Sequence, residues 1–102
     1  MIFPEKYTCF GIPVTIREST DLDDTSKHAY FTSASPHILF QSSMPAKFKE
    51  FVIAHEIIHS WFHFSGVSNI MEEKHEEMLC DSLAPLLTEY TKTIIKNQKE
   101  KE

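Results

Sequence analysis

Ser43-Met44-Pro45-Ala46-Lys47-Phe48-Lys49-Glu50-Phe51-Val52-Ile53-Ala54-His55-Glu56-Ile57-Ile58-His59-Ser60-Trp61-Phe62-His63-Phe64-Ser65-Gly66 is the stretch that organises the chain. Ser43 can cap a helix that tolerates Pro45 in its first turn, and Gly66 supplies a left-handed stop after Ser65. Phe48, Phe51, Val52, Ile53, Ile57, Ile58, Trp61, Phe62 and Phe64 surround nearly the whole circumference, which marks a buried helix and the spine of the core. Within this apolar run, His55, Glu56 and His59 would be costly to bury without partners.

Outward toward the amino terminus, residues 1 to 42 are rich in β-branched and aromatic residues with turn breaks between them. Cys9 to Arg17 alternates as a half-buried strand with Val14 and Ile16 on one face, its start pushed toward an edge or bulge by Pro13. After the acidic loop Asp21-Leu22-Asp23-Asp24, the runs Ala29-Tyr30-Phe31-Thr32 and His37-Ile38-Leu39-Phe40-Gln41 flank Ser33-Ala34-Ser35-Pro36 and read as a hairpin.

Toward the carboxyl terminus, a second helix is predicted from Asn69, with Glu72 completing a capping box, to beyond Tyr90. Its apolar stripe is Leu79, Leu83, Leu86, Tyr90 and Ile94. Pro85 lies inside and should kink the helix or end it locally, because it has no donor for the carbonyl of Asp81. Lys96 to Glu102 reads as a frayed, solvated tail. The fold class expected is α+β, a small and mostly antiparallel sheet followed by an active-site helix and a second C-terminal helix. With 102 residues and 41% hydrophobic content, residues 1–102 suit a single domain.

The four-residue spacing of His55 and His59 projects both rings from one helix face, where they can reach one zinc ion. Glu56 is turned by about 100° from His55, so it can lie beside the metal as a general base without ligating it. A tetrahedral catalytic zinc needs a third protein ligand, and a carboxylate from the following helix, where Glu73, Glu77 and Asp81 share a face, would complete the set. Glu77 is assigned as the ligand and Asp81 as the carboxylate holding a histidine ring nitrogen, with the reverse assignment as the alternative. Glu72 and Glu73 are explained by the helix dipole at a first turn. His75 is a further alternative to a carboxylate ligand. His63 continues the four-residue series, but three histidines over two turns of one straight helix cannot converge on one tetrahedral ion. His28 and His37 carry no pattern.

The net charge of −5 and pI near 5.6 argue against a nucleic-acid partner, which demands a basic face. Met1-Ile2-Phe3-Pro4-Glu5-Lys6 lacks the character of a signal peptide, and no apolar run approaches the roughly 20 residues of a membrane span, so a cytoplasmic location is expected. The two cysteines, Cys9 and Cys80, form neither a Cys-x-x-Cys pair nor a disulfide framework; Cys80, between apolar neighbours, reads as a packed thiol.

At His55-Glu56-Ile57-Ile58-His59, followed by Glu77 and Asp81, the chain resembles the gluzincin branch of zinc peptidases, whose pattern is H-E-x-x-H with a later E-x-x-x-D. It looks most like the compact phage and prophage zincins akin to the ImmA/IrrE-type metallopeptidases, and Ser82-Leu83-Ala84-Pro85-Leu86-Leu87 is similar to their second-helix segment. The resemblance covers roughly residues 37 to 90. It implies a zinc-dependent hydrolysis of peptide bonds in which Glu56 takes a proton from water and delivers it to the leaving amine. It also implies that the strand before the active helix binds an extended peptide by strand addition, a task that would fall to Ile38, Leu39 and Phe40. Tyr90, His63 and His37 are the candidate oxyanion donors by residue type. The alternative reading is a zincin-fold module that binds a protein partner with its metal structural or absent, or a metal-free helical adaptor.

Overall fold

The computed structural model describes residues 2–22 and 28–101. Four strands, β1 (Lys6–Cys9), β2 (Ile12–Ser19), β3 (Ala29–Thr32) and β4 (His37–Gln41), precede two helices, α1 (Ala46–Phe64) and α2 (Glu73–Lys101). The α+β class expected from the sequence is therefore the class observed. Part of the acidic loop, residues 23–27, lies outside the described residues, as does Glu102.

The single strand expected from Cys9 is two strands. Phe10 (φ 52°) and Gly11 (φ 78°) are both left-handed and fold β1 back antiparallel on β2, pairing Cys9 with Ile12. Consecutive positive φ values suit the right-handed twist of a tight hairpin, but the residue at Phe10 costs about 1 kcal/mol for its Cβ. Phe10 regains contact by packing its ring 4.5 Å from that of Trp61. The second hairpin, β3 to β4, forms at the expected residues, with Phe31 opposite Ile38. The sheet order is β1-β2-β4-β3, so β4 inserts beside β2 in parallel and β3 is left at the rim.

Val14, Ile16, Ile38 and Phe40 form the inner face of the sheet and pack against Ile53 and Ala54 of α1, with Ala84 of α2 closing the cluster. The buried-spine expectation for α1 holds on this side only, since Phe48 and Trp61 are about half exposed. The helix is capped by Pro45 rather than Ser43, the Pro45 carbonyl accepting from the Phe48 and Lys49 N–H groups. Gly66 (φ 84°) stops it as expected.

The capping box at Asn69 is corrected. The Asn69 N–H is already donated to the Gly66 carbonyl in a short turn, Val67–Asn69, and α2 begins at Glu73. α2 runs continuously through Pro85 to Lys101, so neither a local end at the proline nor a frayed segment from Lys96 is present among the described residues. The helix instead buries Cys80 and Ala84, small residues that let it approach α1 closely, and leaves Leu83, Leu86, Tyr90 and Ile94 exposed. No described helix is long and apolar enough to cross a membrane.

Candidate metal centre

α1 and α2 are joined by the short segment Ser65 to Glu72 and lie side by side, so the middle of α1 faces the first turns of α2. His55 and His59 point toward that helix with ring centroids 4.7 Å apart and their Nε2 atoms 3.1 Å apart. Glu77 reaches both, Oε2 lying 3.1 Å from His55 Nε2 and Oε1 2.7 Å from His59 Nε2. The outer nitrogens are occupied from the same helix. His55 Nδ1 is 2.9 Å from Asp81 Oδ1, and His59 Nδ1 is 2.6 Å from Glu76 Oε2.

A carboxylate oxygen stands at every ring nitrogen of the pair, so with each Nδ1–H donating outward to its carboxylate, both Nε2 lone pairs would face the Glu77 carboxylate with no donor among them. Such convergence of acceptors is disfavoured unless a cation sits between them. A tetrahedral ion bound at 2.0–2.1 Å sets its ligand atoms about 3.4 Å apart, a small relaxation from the separations seen here. The donor set of two imidazoles and a carboxylate, with a carboxylate behind each ring, fits zinc.

Cys80 is fully buried in the same place, and the ligand atoms of His55, His59 and Cys80 all lie within 4.8 Å of one another, a group that could hold a metal ion. Burial, reinforced by the charges of Glu76, Glu77, Glu56 and Asp81, pushes its thiol up to about 12. Without a metal beside it the thiol therefore stays protonated. Cys80 and Glu77, the latter touching the two rings at 3.1 and 2.7 Å, are thus the two side chains of α2 that the structure sets beside the histidine pair as a third donor.

Glu56 sits on the neighbouring face of α1, its Oε2 3.9 Å from His55 Nε2 and its side chain 14% exposed. Burial raises its carboxyl above the usual range, although His59, His55 and a hydrogen bond from the Phe31 backbone N–H pull the other way. Glu76 shows the opposite balance. Burial alone would push it up, but the Ser68 hydroxyl and His59 hold it below the usual carboxylate range.

An open cleft of about 740 Å³ exposes these groups, lined by Ala29, Tyr30 and Phe31 of β3, by His55, Glu56, His59 and His63 of α1, and by Ser68, Met71, Glu73, Glu76 and Glu77. Ile38, Leu39 and Phe40 are not in it. β4 is hydrogen-bonded to β2 on one side and β3 on the other, and Ile38 and Phe40 are buried in the core, so the expected strand addition to β4 is corrected. The strand beside the cleft whose outer edge pairs with no other described strand is β3.

Of the expected oxyanion donors only His63 lines the cleft, its ring 5.8 Å from that of Phe31. His37 is bonded to the Ser35 carbonyl at the hairpin turn, and Tyr90 is exposed farther along α2. His75 is likewise outside the cleft lining. Sequence reasoning missed Glu76, Ser68 and the Phe31 N–H. Glu76 was open to discovery, because two ligand histidines call for two supporting carboxylates and only Asp81 had been assigned. A backbone N–H leaves no signal in a sequence.

Compared with protein-family models, with curated proteins and with solved structures, the chain matches none.

Proposed function

We propose that the protein is a zinc-dependent peptidase whose metal is held by His55 Nε2, His59 Nε2 and Glu77, with Glu56 as general base. The observation that carries the metal site is the convergence of the two imidazole Nε2 atoms and the Glu77 carboxylate, each within 3.1 Å of the next. The placement of Glu56 supports catalysis. A purely structural site needs no buried carboxylate beside its ligands, and this one keeps its carboxyl raised, nearer the working pH of a base.

Bound zinc would supply Lewis acidity toward a carbonyl oxygen and a water molecule. The chain's own residues do the rest. Glu56 takes a proton from the water at a carboxylate oxygen and later returns it to the amine that leaves. The Phe31 N–H fixes the orientation of that carboxylate and ties it to β3. An extended peptide would lie along the outer edge of β3, where Ala29, Tyr30 and Phe31 meet the cleft, making backbone hydrogen bonds as an added strand. His63, on the cleft wall, is the side chain placed to meet a developing oxyanion.

The exposed Leu83, Leu86, Tyr90 and Ile94 favour a second reading, a module that docks a protein partner through α2. The test that separates the two is zinc content, by elemental analysis, of the wild-type protein and its His59→Ala, Glu77→Ala and Glu56→Gln variants, together with cleavage of an unstructured peptide library read by mass spectrometry. The peptidase reading expects zinc in the wild type and in Glu56→Gln, its loss in the other two, and cleavage in the wild type alone. A wild-type protein that takes up no zinc after reconstitution defeats it.

A further inference from the structure

We propose that Glu76, anchored by Ser68, is the positioning residue that fixes the tautomer of His59 and thereby holds its Nε2 on the metal position. The inference rests on the metal-site reading above and deepens it.

The two rings are held unequally. Asp81, the partner of His55, has a side chain that is 64% exposed, whereas Glu76, the partner of His59, is 15% exposed. Water competes for the first contact and is largely kept from the second, so the buried hydrogen bond is the stronger constraint. The second oxygen of Glu76 is committed as well, accepting from the Ser68 hydroxyl at 2.5 Å. With both oxygens engaged the carboxylate cannot swing away, and the turn Val67–Asn69 between the helices is tied to one ligand ring.

Consecutive residues of α2 thus bracket one imidazole. Glu76 Oε2 takes the Nδ1 side at 2.6 Å and Glu77 Oε1 the Nε2 side at 2.7 Å. A helix turns about 100° per residue, which lets neighbouring carboxylates reach the two nitrogens of a single ring. Without Glu76, nothing on the Nδ1 side of His59 opposes the tautomer whose proton sits on Nε2, and that proton has to be displaced before a metal can bind.

Two readouts test this. Long-range ¹H–¹⁵N NMR of the imidazoles at mildly alkaline pH gives the tautomer of His59 in metal-free protein, and chelator competition gives zinc affinity. The wild type should carry the His59 proton on Nδ1. Glu76→Ala should move it to Nε2 and weaken zinc binding by about 10–100-fold. Glu76→Gln, whose amide carbonyl still accepts from Nδ1–H, should keep the tautomer and recover most of the affinity. Asp81→Ala should weaken zinc binding less than Glu76→Ala. A wild-type His59 protonated on Nε2 overturns the proposal with no variant needed, as does a folded Glu76→Ala that binds zinc within about twofold of wild type. Zinc retained by His59→Ala would overturn the metal-site reading itself, whereas zinc lost there but unchanged in Glu76→Ala overturns this inference alone.

Discussion

The two halves of α2 use the same helix in opposite ways. Its first turns direct Glu76, Glu77 and Asp81 at the histidines of α1, over a floor made by Cys80 and Ala84, while its distal half holds Leu86, Tyr90 and Ile94 out to solvent. An apolar period of 3.6 residues states that a stripe exists, not which side of the helix finds cover. Here the covered side was chosen by small residues that admit close approach, and the large apolar ones were left over. The near half is therefore coupled to the candidate site and to the core, whereas the far half keeps only lighter ties, the partly buried Leu87 against the core and the Lys92–Glu50 ion pair to α1.

The sharpest way to break this contrast is at the near end. Glu56→Gln should lower the turnover of any cleaved peptide by about 10²–10⁴-fold with zinc content unchanged, measured by steady-state kinetics and elemental analysis. A matching loss of zinc would mean that base and ligands are not separable. Next in size is the core beneath the site. Ile53 is fully buried against the sheet, so Ile53→Ala should destabilise the protein by about 2–5 kcal/mol in urea unfolding.

A third measurement follows pH. Tyr7 donates its hydroxyl to Ser60 Oγ at 2.7 Å, Ser60 in turn donating to the Ile57 carbonyl, and burial pushes the phenol up to about 12. The unfolded chain therefore releases this proton first. Stability due to Tyr7 should be intact below pH 10 and lost as pH rises toward 12, a slope that Tyr7→Phe flattens in alkaline thermal melts. The smallest effect is expected at the far end. Leu86 is 64% exposed, and Leu86→Ala should shift unfolding by no more than about 0.5 kcal/mol. A shift several times larger, or one that depends on protein concentration, would show that the outer stripe is covered in solution.

Much of the architecture was legible in advance. The hairpin from Ala29 to Gln41, the α1 helix and its stop at Gly66 follow from local signals, namely β-branched alternation, serine and proline at a turn, and a glycine free to take φ 84°. That His55 and His59 share one face, and Glu77 and Asp81 another, was legible for the same reason, since helical spacing alone fixes which side chains of one helix lie together. Phe10 gave no warning of its left-handed turn, because a bulky residue there is held by its contact with Trp61 rather than by propensity. Asn69 had the chemistry of a cap but spent its N–H in the preceding turn.

What the sequence by itself determined is therefore local: element types, the spacing of the two histidines and their neighbouring glutamate, and the carboxylates available one helix later. Tertiary structure decided everything that depends on which surfaces meet. It inserted β4 between β2 and β3, so that β3 and not β4 borders the cleft. It set Glu76 behind His59 and Asp81 behind His55, and it closed the helix pair on Cys80 and Ala84. Periodicity is a property of one element, whereas strand order and the pairing of nitrogens with oxygens arise only when separate elements compete to bury the same apolar area and satisfy the same polar groups.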